Sequence, residues 1–156
     1  CCKVVKVETA EEMQEAVTTS GAYDIAIFVA AVGDWRVKKI AKKKLKKTEG
    51  KKPPDIELIE NPDILLTVCS SKKRPELVIG FAAETENVVE NAKRKLKKKG
   101  CDWIFANKVS KDTSNMGGDT NEVVLVKKEQ VIHYKKSDKR KVAQIIREEI
   151  VKKFNH

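Results

Sequence analysis

The order of secondary-structure patterns in the sequence predicts an α/β fold, a mainly parallel sheet between two layers of helices. Segments with the pattern of a strand alternate with amphipathic segments along most of the chain, as in successive strand–helix–strand units. The segment Ile25 to Val32 is continuously apolar, which is typical of a strand buried on both faces of a parallel sheet. With 156 residues, 40% of them apolar, the chain suits a single domain over residues 1–156 with one core.

The start of the chain carries local signals for a strand and a capped helix. Lys and Val alternate from Lys3 to Val7, which predicts a short strand. Thr9 and Glu12 have the spacing of a capping box, so a helix is expected to begin there. Gly21 is expected to end it.

The remaining elements follow from apolar runs bounded by caps and turn residues. In chain order, the sequence first predicts a strand at Ile56–Ile59, a helix from Pro62 to about Ser70 with Asn61 as N-cap, and a strand at Leu77–Phe81. A helix at Asn87–Lys99 ended by Gly100, a strand at Asp102–Ala106 and a surface loop at Lys108–Asn121 are expected next. The chain then continues with a hairpin of Val123–Val126 and Val131–Tyr134 and a final amphipathic helix capped by Ser137. This order predicts a Rossmann-like three-layer sandwich with an antiparallel hairpin near its C-terminal end.

The charge and its placement limit the classes of partner. A net charge of +10 leaves nucleic acid, an anionic membrane or phosphorylated small molecules. The cations concentrate in two segments: Arg36 to Lys52 holds ten cations against one acid, and Lys93 to Lys99 holds six with no acid. No apolar run is long enough for a membrane span. The four cysteines show no metal-ligand spacing, so we expect reduced thiols and a cytoplasmic protein.

Polar residues at the ends of predicted strands mark a candidate nucleotide pocket. In open α/β sheets ligands bind beyond the carboxyl ends of the strands, here Ala30–Asp34, Gly80–Thr85 and Ala106–Asn107. The helix that starts at residues 61–63 would add free backbone N–H groups for an anion. In such a pocket Asp34 would accept hydrogen bonds from a ribose, Phe81 would pack on a base, and lysines would hold phosphates.

Each of these signals also has a simpler interpretation. Asp34 is equally suited to a turn after Gly33, Phe81 to the core, and the lysines to a solvated helix face. Nucleic-acid binding fits the charge, but aromatic residues are only 5% of the chain and no recognition motif is evident. Covalent catalysis has little support, because His133 falls on a predicted hairpin strand and His156 is terminal.

Six short motifs occur together and in a fixed order along the chain. They are Ala30-Ala-Val-Gly-Asp-Trp-Arg36, Lys44-Leu-Lys-Lys47, Asn61-Pro-Asp-Ile-Leu65, Gly80-Phe-Ala-Ala-Glu-Thr85, the helix residues Ala92, Lys95, Leu96 and Lys99, and Ala106-Asn107. The ordered set resembles phosphopantothenoylcysteine synthetase (phosphopantothenate–cysteine ligase), the second activity of the bifunctional coenzyme A biosynthesis protein. The resemblance covers essentially the whole chain.

The resemblance implies a two-step ligation in coenzyme A biosynthesis. The carboxylate of 4'-phosphopantothenate attacks the α-phosphate of CTP, with Mg²⁺, to give an acyl-cytidylate and pyrophosphate. Cysteine then displaces the nucleotide monophosphate. Eukaryotic relatives use ATP, and the sequence leaves CTP against ATP open. The family also implies a homodimer, with a flap at each site, and a further N-terminal strand–helix portion. We therefore expect this chain to be the C-terminal part of the synthetase domain.

The resemblance also assigns candidate site residues. Lys44 would reach the phosphates from the flap and would be the catalytic residue, and no protein metal ligand is implied. The residues expected to bind the nucleotide are Phe28, Val29, Ala30, Asp34, Lys44, Pro62, Asp63, Ile64, Leu65, Phe81, Lys95 and Lys99. Two alternatives stay open at this point: a nucleotide-binding module without ligase activity, and a basic nucleic-acid-associated protein.

Overall fold

A computed structural model of the protein describes residues 2–41, 52, 55–109 and 120–155, which form four helices and seven strands. In chain order the elements are α1 (Ala10–Thr19), β1 (Ile25–Phe28), β2 (Trp35–Val37), β3 (Leu58–Glu60), α2 (Ile64–Cys69), β4 (Leu77–Glu84), α3 (Val88–Lys99), β5 (Trp103–Lys108), β6 (Thr120–Lys127), β7 (Val131–Asp138) and α4 (Lys139–Phe154).

Five strands form the main sheet, in the order β1-β4-β5-β6-β7. The first three are parallel, with Phe28 opposite Gly80 and Phe81 opposite Phe105. β6 and β7 continue the sheet as an antiparallel hairpin. The remaining strands, β2 and β3, pair antiparallel in a separate two-stranded ribbon. The predicted parallel sheet with a C-terminal hairpin is confirmed.

The sheet is covered by helices on both faces, which confirms the three-layer architecture. On one face, α2 and α3 pack Val68 and Ala92 against alternate strand residues such as Val78 and Ile104. On the other face, α4 packs Ile145 against residues that include Phe105. Because neighbouring residues of a strand point to opposite faces, an apolar strand such as residues 103–106 supplies both layers of core.

Two helix boundaries follow directly from the predicted caps. The Oγ1 of Thr9 accepts a hydrogen bond from the amide of Glu12 at 3.1 Å, and the Glu12 carboxylate accepts from the Thr9 amide at 3.2 Å. This reciprocal pair is the predicted capping box. Gly100 ends α3 with a φ of +70°, a conformation that glycine adopts without steric penalty.

Two strand predictions need correction. Residues 3–7 form no strand, and Val4 is 80% exposed. Alternation shows only that a segment can pair, and the described structure offers this segment no neighbouring strand. The predicted strand Ile25–Val32 ends at Phe28, and Ile27 is 44% exposed, because β1 is an edge strand with a sheet neighbour on one side alone among the described residues.

Two predicted caps also need correction. α2 begins at Ile64 with Asp63 as its N-cap, because the Asp63 carboxylate accepts from the Leu66 amide while the Asn61 side chain is used elsewhere. α4 is capped by Asp138, one residue after the predicted Ser137. Asn, Asp and Ser cap helices about equally well, so the residue types alone do not decide between neighbouring candidates.

Some predictions fall outside the described residues. Lys44 lies in the gap at residues 42–51, and most of the predicted surface loop lies in the gap at residues 110–119. The single-domain assignment stays a prediction. Within the described ranges, no helix has the length and apolar character needed to cross a membrane.

Candidate functional site

A cleft of about 490 Å³ opens beyond the carboxyl ends of β1 and β4. Its walls come from the residues after β1, the β2–β3 ribbon, the start of α2 and the last turns of α3. Ten of the twelve predicted site residues line it; Val29 points elsewhere and is 63% exposed, and Lys44 is not among the described residues. The location is the one at which open α/β sheets bind ligands.

The sheet brings the first two predicted motifs together. Parallel pairing places Phe28 opposite Gly80, so the chain segments that follow β1 and those within β4 reach the same end of the sheet. Phe28 and Ala30 line the cleft, and Asp34 follows at its rim. Among the described residues the Asp34 carboxylate has no hydrogen-bond partner, so no hydrogen bond there supports the interpretation of Asp34 as a turn cap.

Gly80 allows the start of α2 to lie close to the sheet. A Cβ atom at this position would lie 2.8 Å from Cδ1 of Ile104 and 3.0 Å from Cδ2 of Leu65. Both distances are shorter than normal carbon–carbon contacts. Glycine within a strand often marks such a close approach, and here the approach places Leu65 and its helix start in the wall of the cleft.

Asp63 links the start of α2 to the end of α3. Its Oδ1 accepts from the Leu66 amide at 3.1 Å, and its Oδ2 forms an ion pair with the ammonium of Lys99. Burial raises the pKa of Asp63, but the hydrogen bonds from Lys99 and Leu66 and the charges of Lys99 and Lys98 outweigh burial, so the pKa lies below its ordinary value. Asp63 is therefore ionised at neutral pH and holds Lys99 at the cleft.

Lys95 and Lys99 lie one helical turn apart and both face the cleft. The Nζ of Lys95 donates to the backbone oxygen of Phe81 at 2.7 Å. Both predicted phosphate-binding amines of α3 are thus held by protein acceptors at the cleft wall. Lys98, which the sequence analysis did not select, adds a third ammonium to the same wall.

The ring of Phe81 packs against the core, while the residue also borders the cleft. It stacks on Phe105 with ring centroids 5.7 Å apart and an interplanar angle of 24°. The side chain is half-buried and packs with the core cluster on the α4 face of the sheet, so its position favours the core interpretation. Phe81 meets the cleft wall through its backbone oxygen, which accepts from Lys95. The stacking fixes the ring before any ligand arrives.

The structure adds cleft residues that sequence reasoning missed. Trp35 lines the cleft with 58% of its surface exposed, and Met13 and Glu60 line it nearby. Asn61 was predicted only as a helix cap; its side-chain Nδ2 instead donates to the backbone oxygen of Gly33 at 2.8 Å. The sequence signal for Trp35 was its place directly after Asp34 in the same motif, but no hydrophobic periodicity marked it as a cleft residue.

One predicted strand end does not reach the cleft. Ala106 is fully buried in the core, and Asn107 lies in β5 opposite Ala83. Lys108 lines a separate cavity together with Glu122 and His133. The third strand end therefore contributes to the core and to another surface.

The described residues contain no cluster of three or more His, Cys, Asp or Glu side chains that could hold a metal ion. The carboxylates at the cleft are those of Asp34, Glu60 and Asp63, and the last is paired with Lys99. This set fits Mg²⁺ entering with a triphosphate, because Mg²⁺ keeps several waters and commonly takes only one or two protein carboxylates beside substrate phosphates.

The fold and the cleft define a Rossmann-like α/β domain with a candidate site for a phosphorylated nucleotide. The sequence profile described as "DNA/pantothenate metabolism flavoprotein C-terminal domain" matches residues 1–154. The chain belongs to this family. The resemblance found in the motifs is thereby confirmed.

Several proteins named "Coenzyme A biosynthesis bifunctional protein CoaBC" are similar to the chain. The one from Escherichia coli (strain K12) is 37% identical over 156 residues, which is 98% of this chain and 38% of that protein. The one from Borreliella burgdorferi is 35% identical over 92% of this chain and 36% of that protein. The one from Vibrio vulnificus (strain YJ016) is 38% identical over 78% of this chain. The chain thus spans about a third of the length of these relatives.

Solved structures show the same fold. The structure titled "Crystal structure of the C-terminal Domain of Coenzyme A biosynthesis bifunctional protein CoaBC" superposes with a TM-score of 0.73 at 34% identity, covering 97% of this chain and 65% of that one. The DNA/pantothenate metabolism flavoprotein from Streptococcus pneumoniae superposes with a TM-score of 0.65 at 21% identity, covering 94% of this chain and 69% of that one, a likeness of fold alone.

Proposed function

We propose that this chain is the nucleotide-binding part of a phosphopantothenate–cysteine ligase of coenzyme A biosynthesis. In this proposal CTP activates 4'-phosphopantothenate as an acyl-cytidylate, which is then coupled to cysteine. The observation that carries it is the cleft itself. It brings the carboxylate of Asp34 and three ammonium groups on α3 to the carboxyl edge of the sheet, in a chain that matches the family over residues 1–154.

The charges on the cleft walls suit the two ends of a nucleotide. The carboxylate of Asp34 is an acceptor for ribose hydroxyls, and Phe81, which is among the residues that line the cleft, is the one that the family resemblance assigns to the base. The ammonium groups of Lys95, Lys98 and Lys99 face the same space, and they balance the negative charge of a triphosphate. Pro62 to Leu65, at the start of α2, form the wall that joins these two ends.

The lysines on α3 already have acceptors that a triphosphate can replace. In the ligand-free arrangement, Phe81 O holds Lys95 and the Asp63 carboxylate holds Lys99. A phosphate oxygen is a charged acceptor, so it competes well with the neutral carbonyl for Lys95. Because the protein orients both amines in advance, little side-chain ordering is required when the nucleotide binds.

The proposed reaction needs positioning and charge neutralisation more than a nucleophilic side chain. In the first step, a carboxylate oxygen of phosphopantothenate attacks the α-phosphorus of CTP, and the bond to the pyrophosphate oxygen breaks. In the second step, the cysteine amine attacks the acyl carbon, loses a proton, and CMP leaves with the bonding electrons. Lysines near the phosphates stabilise the negative charge that develops on pyrophosphate. Lys44 is proposed to join them from residues outside the described ranges.

The proposal includes Mg²⁺ bound to the triphosphate, which would shield the phosphate charge and polarise the α-phosphorus. With Asp34 assigned to the ribose, Glu60 is the remaining cleft carboxylate without an ion-pair partner among the described residues, and one carboxylate would be enough as a protein contact. It also includes cysteine and 4'-phosphopantothenate as substrates, a homodimer and a cytoplasmic setting, all of which rest on the family.

Calorimetric titration of the chain with Mg–CTP, Mg–ATP and a short oligonucleotide tests the proposal. We expect one molecule of CTP per chain, with binding abolished in Asp34→Ala and weakened in Phe81→Ala. Asp24→Ala is a matched control, because Asp24 is exposed at the opposite end of β1. Binding of the oligonucleotide alone, with a steep salt dependence, would instead support a nucleic-acid-associated protein.

Product formation separates a ligase from a nucleotide-binding module. The chain is incubated with CTP, Mg²⁺, phosphopantothenate and cysteine, and pyrophosphate release and product are measured. CTP binding with no pyrophosphate release would favour the nucleotide-binding module. Release of pyrophosphate without coupling to cysteine would place the chain at the activation step only.

A further inference from the structure

We propose that Asn61 is a positioning residue that holds the segment Gly33–Trp35, and with it Asp34, in place over the cleft. The inference rests on the proposed nucleotide site. It assigns a role at the cleft to Asn61, which is not among the predicted site residues. Its basis is a set of contacts between Asn61 and three successive residues on the opposite wall.

Asn61 contacts this segment through both its backbone and its side chain. Its backbone amide donates to Asp34 O at 2.8 Å. Its side-chain Nδ2 donates to Gly33 O at 2.8 Å and to Trp35 O at 3.3 Å. One residue therefore satisfies the backbone oxygens on both sides of Asp34 as well as that of Asp34 itself.

The orientation of the Asn61 amide is determined by these contacts. Turning it over would place Oδ1 against two carbonyl oxygens, and three acceptors without a proton repel one another. In the present orientation Oδ1 is buried and has no partner within the described residues. Leaving an acceptor buried and unpaired is unfavourable, so the two Nδ2 contacts must be the stronger determinant.

Apart from Asn61, the segment is held at its C-terminal end, where Trp35 pairs with Glu60 in the β2–β3 ribbon. Asp34 and Trp35 are exposed, and a Cβ placed on Gly33 would meet only Trp35 O, at 3.8 Å, within 4 Å. The adjacent ribbon is tied to α1 by Arg36, whose Nη2 lies 2.7 Å from Glu11 Oε1. That ion pair anchors the chain after the segment, whereas Asn61 anchors the residues that face the cleft. Losing the Asn61 side chain should thus loosen Gly33 and Trp35 on the two sides of Asp34, while the backbone bond from Asn61 to Asp34 O remains.

Asn91 provides a matched control. Its Nδ2 also makes two hydrogen bonds to the protein, to Glu84 Oε2 at 2.9 Å and to Glu86 O at 3.0 Å, and Asn91 does not line the cleft. Asn61→Ala and Asn91→Ala therefore remove the same kind of interaction from two places. A role limited to stability would lower the unfolding temperature in both variants and change nucleotide affinity in neither.

The experiment measures Mg–CTP affinity in a double-mutant cycle of Asn61→Ala with Asp34→Asn, a milder change that leaves measurable binding. We expect Asn61→Ala to weaken binding about tenfold, the scale of one or two hydrogen bonds. In the Asp34→Asn background the same change should cost no more than about twofold, because the two residues act as one unit. Asn91→Ala should bind as the wild type does.

A second measurement does not depend on the nucleotide. With Trp103→Phe, which removes the buried tryptophan, Trp35 becomes the only fluorophore of its kind. Asn61→Ala should lower its steady-state anisotropy and increase its quenching by iodide in the free chain, and Asn91→Ala should do neither. Unchanged Trp35 anisotropy and quenching, unchanged CTP affinity, or additive effects in the cycle would each overturn the positioning role.

The two proposals fail differently. If the wild-type chain binds no nucleoside triphosphate, the proposed function fails and this inference fails with it. If the wild type binds CTP and Asn61→Ala binds equally well, only the role of Asn61 is overturned.

Discussion

Gly80 tests whether the close approach of α2 to the sheet is real. Replacing Gly80 with Ala puts a methyl group 2.8 Å from Ile104 Cδ1 and 3.0 Å from Leu65 Cδ2. Carbon atoms prefer separations of about 3.5–4.0 Å. The neighbours must therefore move by roughly 0.5–1 Å in a fully packed core, where Ile104 has no exposed surface.

The expected loss of stability combines two opposing effects. Overpacking a core costs about 1–3 kcal/mol. Removing a glycine stabilises the folded state by about 0.4–1 kcal/mol, because the unfolded chain loses conformational freedom. The net destabilisation of Gly80→Ala is then about 1–2 kcal/mol. For a domain of this length that corresponds to a fall in Tm of about 2–8 °C.

Urea and thermal unfolding of four proteins provide the assay: the wild type, Gly80→Ala, Ile104→Val and the double variant. Ile104→Val removes Cδ1, the nearer of the two crowded atoms, and alone should cost about 0.5–1.5 kcal/mol. The double variant should be more stable than the sum of the single effects by at least about 0.5 kcal/mol, because the methyl group then fills space that Cδ1 left.

Gly33→Ala is the control, since its Cβ would meet Trp35 O at an ordinary 3.8 Å. We expect it to be as stable as the wild type within about 0.5 kcal/mol. If Gly80→Ala is as stable as the wild type, Leu65 of α2 and Ile104 of β5 do not lie as close to Gly80 as described. If the cycle is additive, the Ile104 side chain does not crowd a methyl group at this position.

Three further predictions concern the charged groups. Lys95→Met should weaken CTP binding about tenfold or more, as expected for the loss of a charged hydrogen bond. Lys93→Met, on the exposed part of α3, should leave CTP binding unchanged. Equal effects of the two variants in calorimetry would contradict the assignment of Lys95 to the nucleotide site. Glu149→Gln should lower the free energy of unfolding by about 1–3 kcal/mol, because Glu149 is buried and accepts from Lys127 at 2.8 Å; a change below about 0.5 kcal/mol in urea unfolding would contradict this. Burial raises the pKa of Glu149, but the hydrogen bonds and charges of Lys127 and Lys152 outweigh burial and lower the pKa below the ordinary 4.5. The contribution of Glu149 to stability should therefore be complete above about pH 5 and be lost as the pH falls through the lowered pKa. A Glu149→Gln variant whose stability depends on acid pH as that of the wild type does would disprove this linkage.

Local signals gave the helices and the central strands correctly. Thr9 with Glu12 marks a helix start, and Gly100 marks a helix end, because each determines its own hydrogen bonds or backbone angles within a few residues. The apolar run in Asp102–Ala106 likewise predicted a strand, and the structure has β5 at Trp103–Lys108 with its first four residues buried. Such features need no knowledge of the rest of the chain.

The errors arose where a distant partner decides the outcome. Residues 3–7 alternate as a strand would, but a strand requires a neighbour to bond, and sequence alone does not supply one. Ile27 reads as buried, yet its strand lies at the sheet edge. The ribbon of β2 and β3 joins segments more than twenty residues apart, and Trp35–Val37 is too short for its pattern to stand out.

The candidate site was predicted mainly by the ordered motifs. The predicted strand ends placed Asp34 and Phe81 near the carboxyl edge of the sheet, but each residue also had a simpler interpretation. Asn61 was misassigned as a helix cap because Asp63, two residues later, is an equally good cap, and only the structure shows that the helix begins after Asp63. The partner of its side chain, Gly33, lies 28 positions away and leaves no local trace.

Chemical-shift mapping of the 17.6 kDa chain during titration with Mg–CTP tests the central claim most directly. The account predicts that backbone amide signals of Asp34, Phe81 and Lys99 shift in a saturable way, and that those of α4 around Ile145 do not. It would be contradicted by no saturable shift at any CTP concentration up to the millimolar range. Shifts confined to the separate cavity at Lys108 and His133 would contradict it as well.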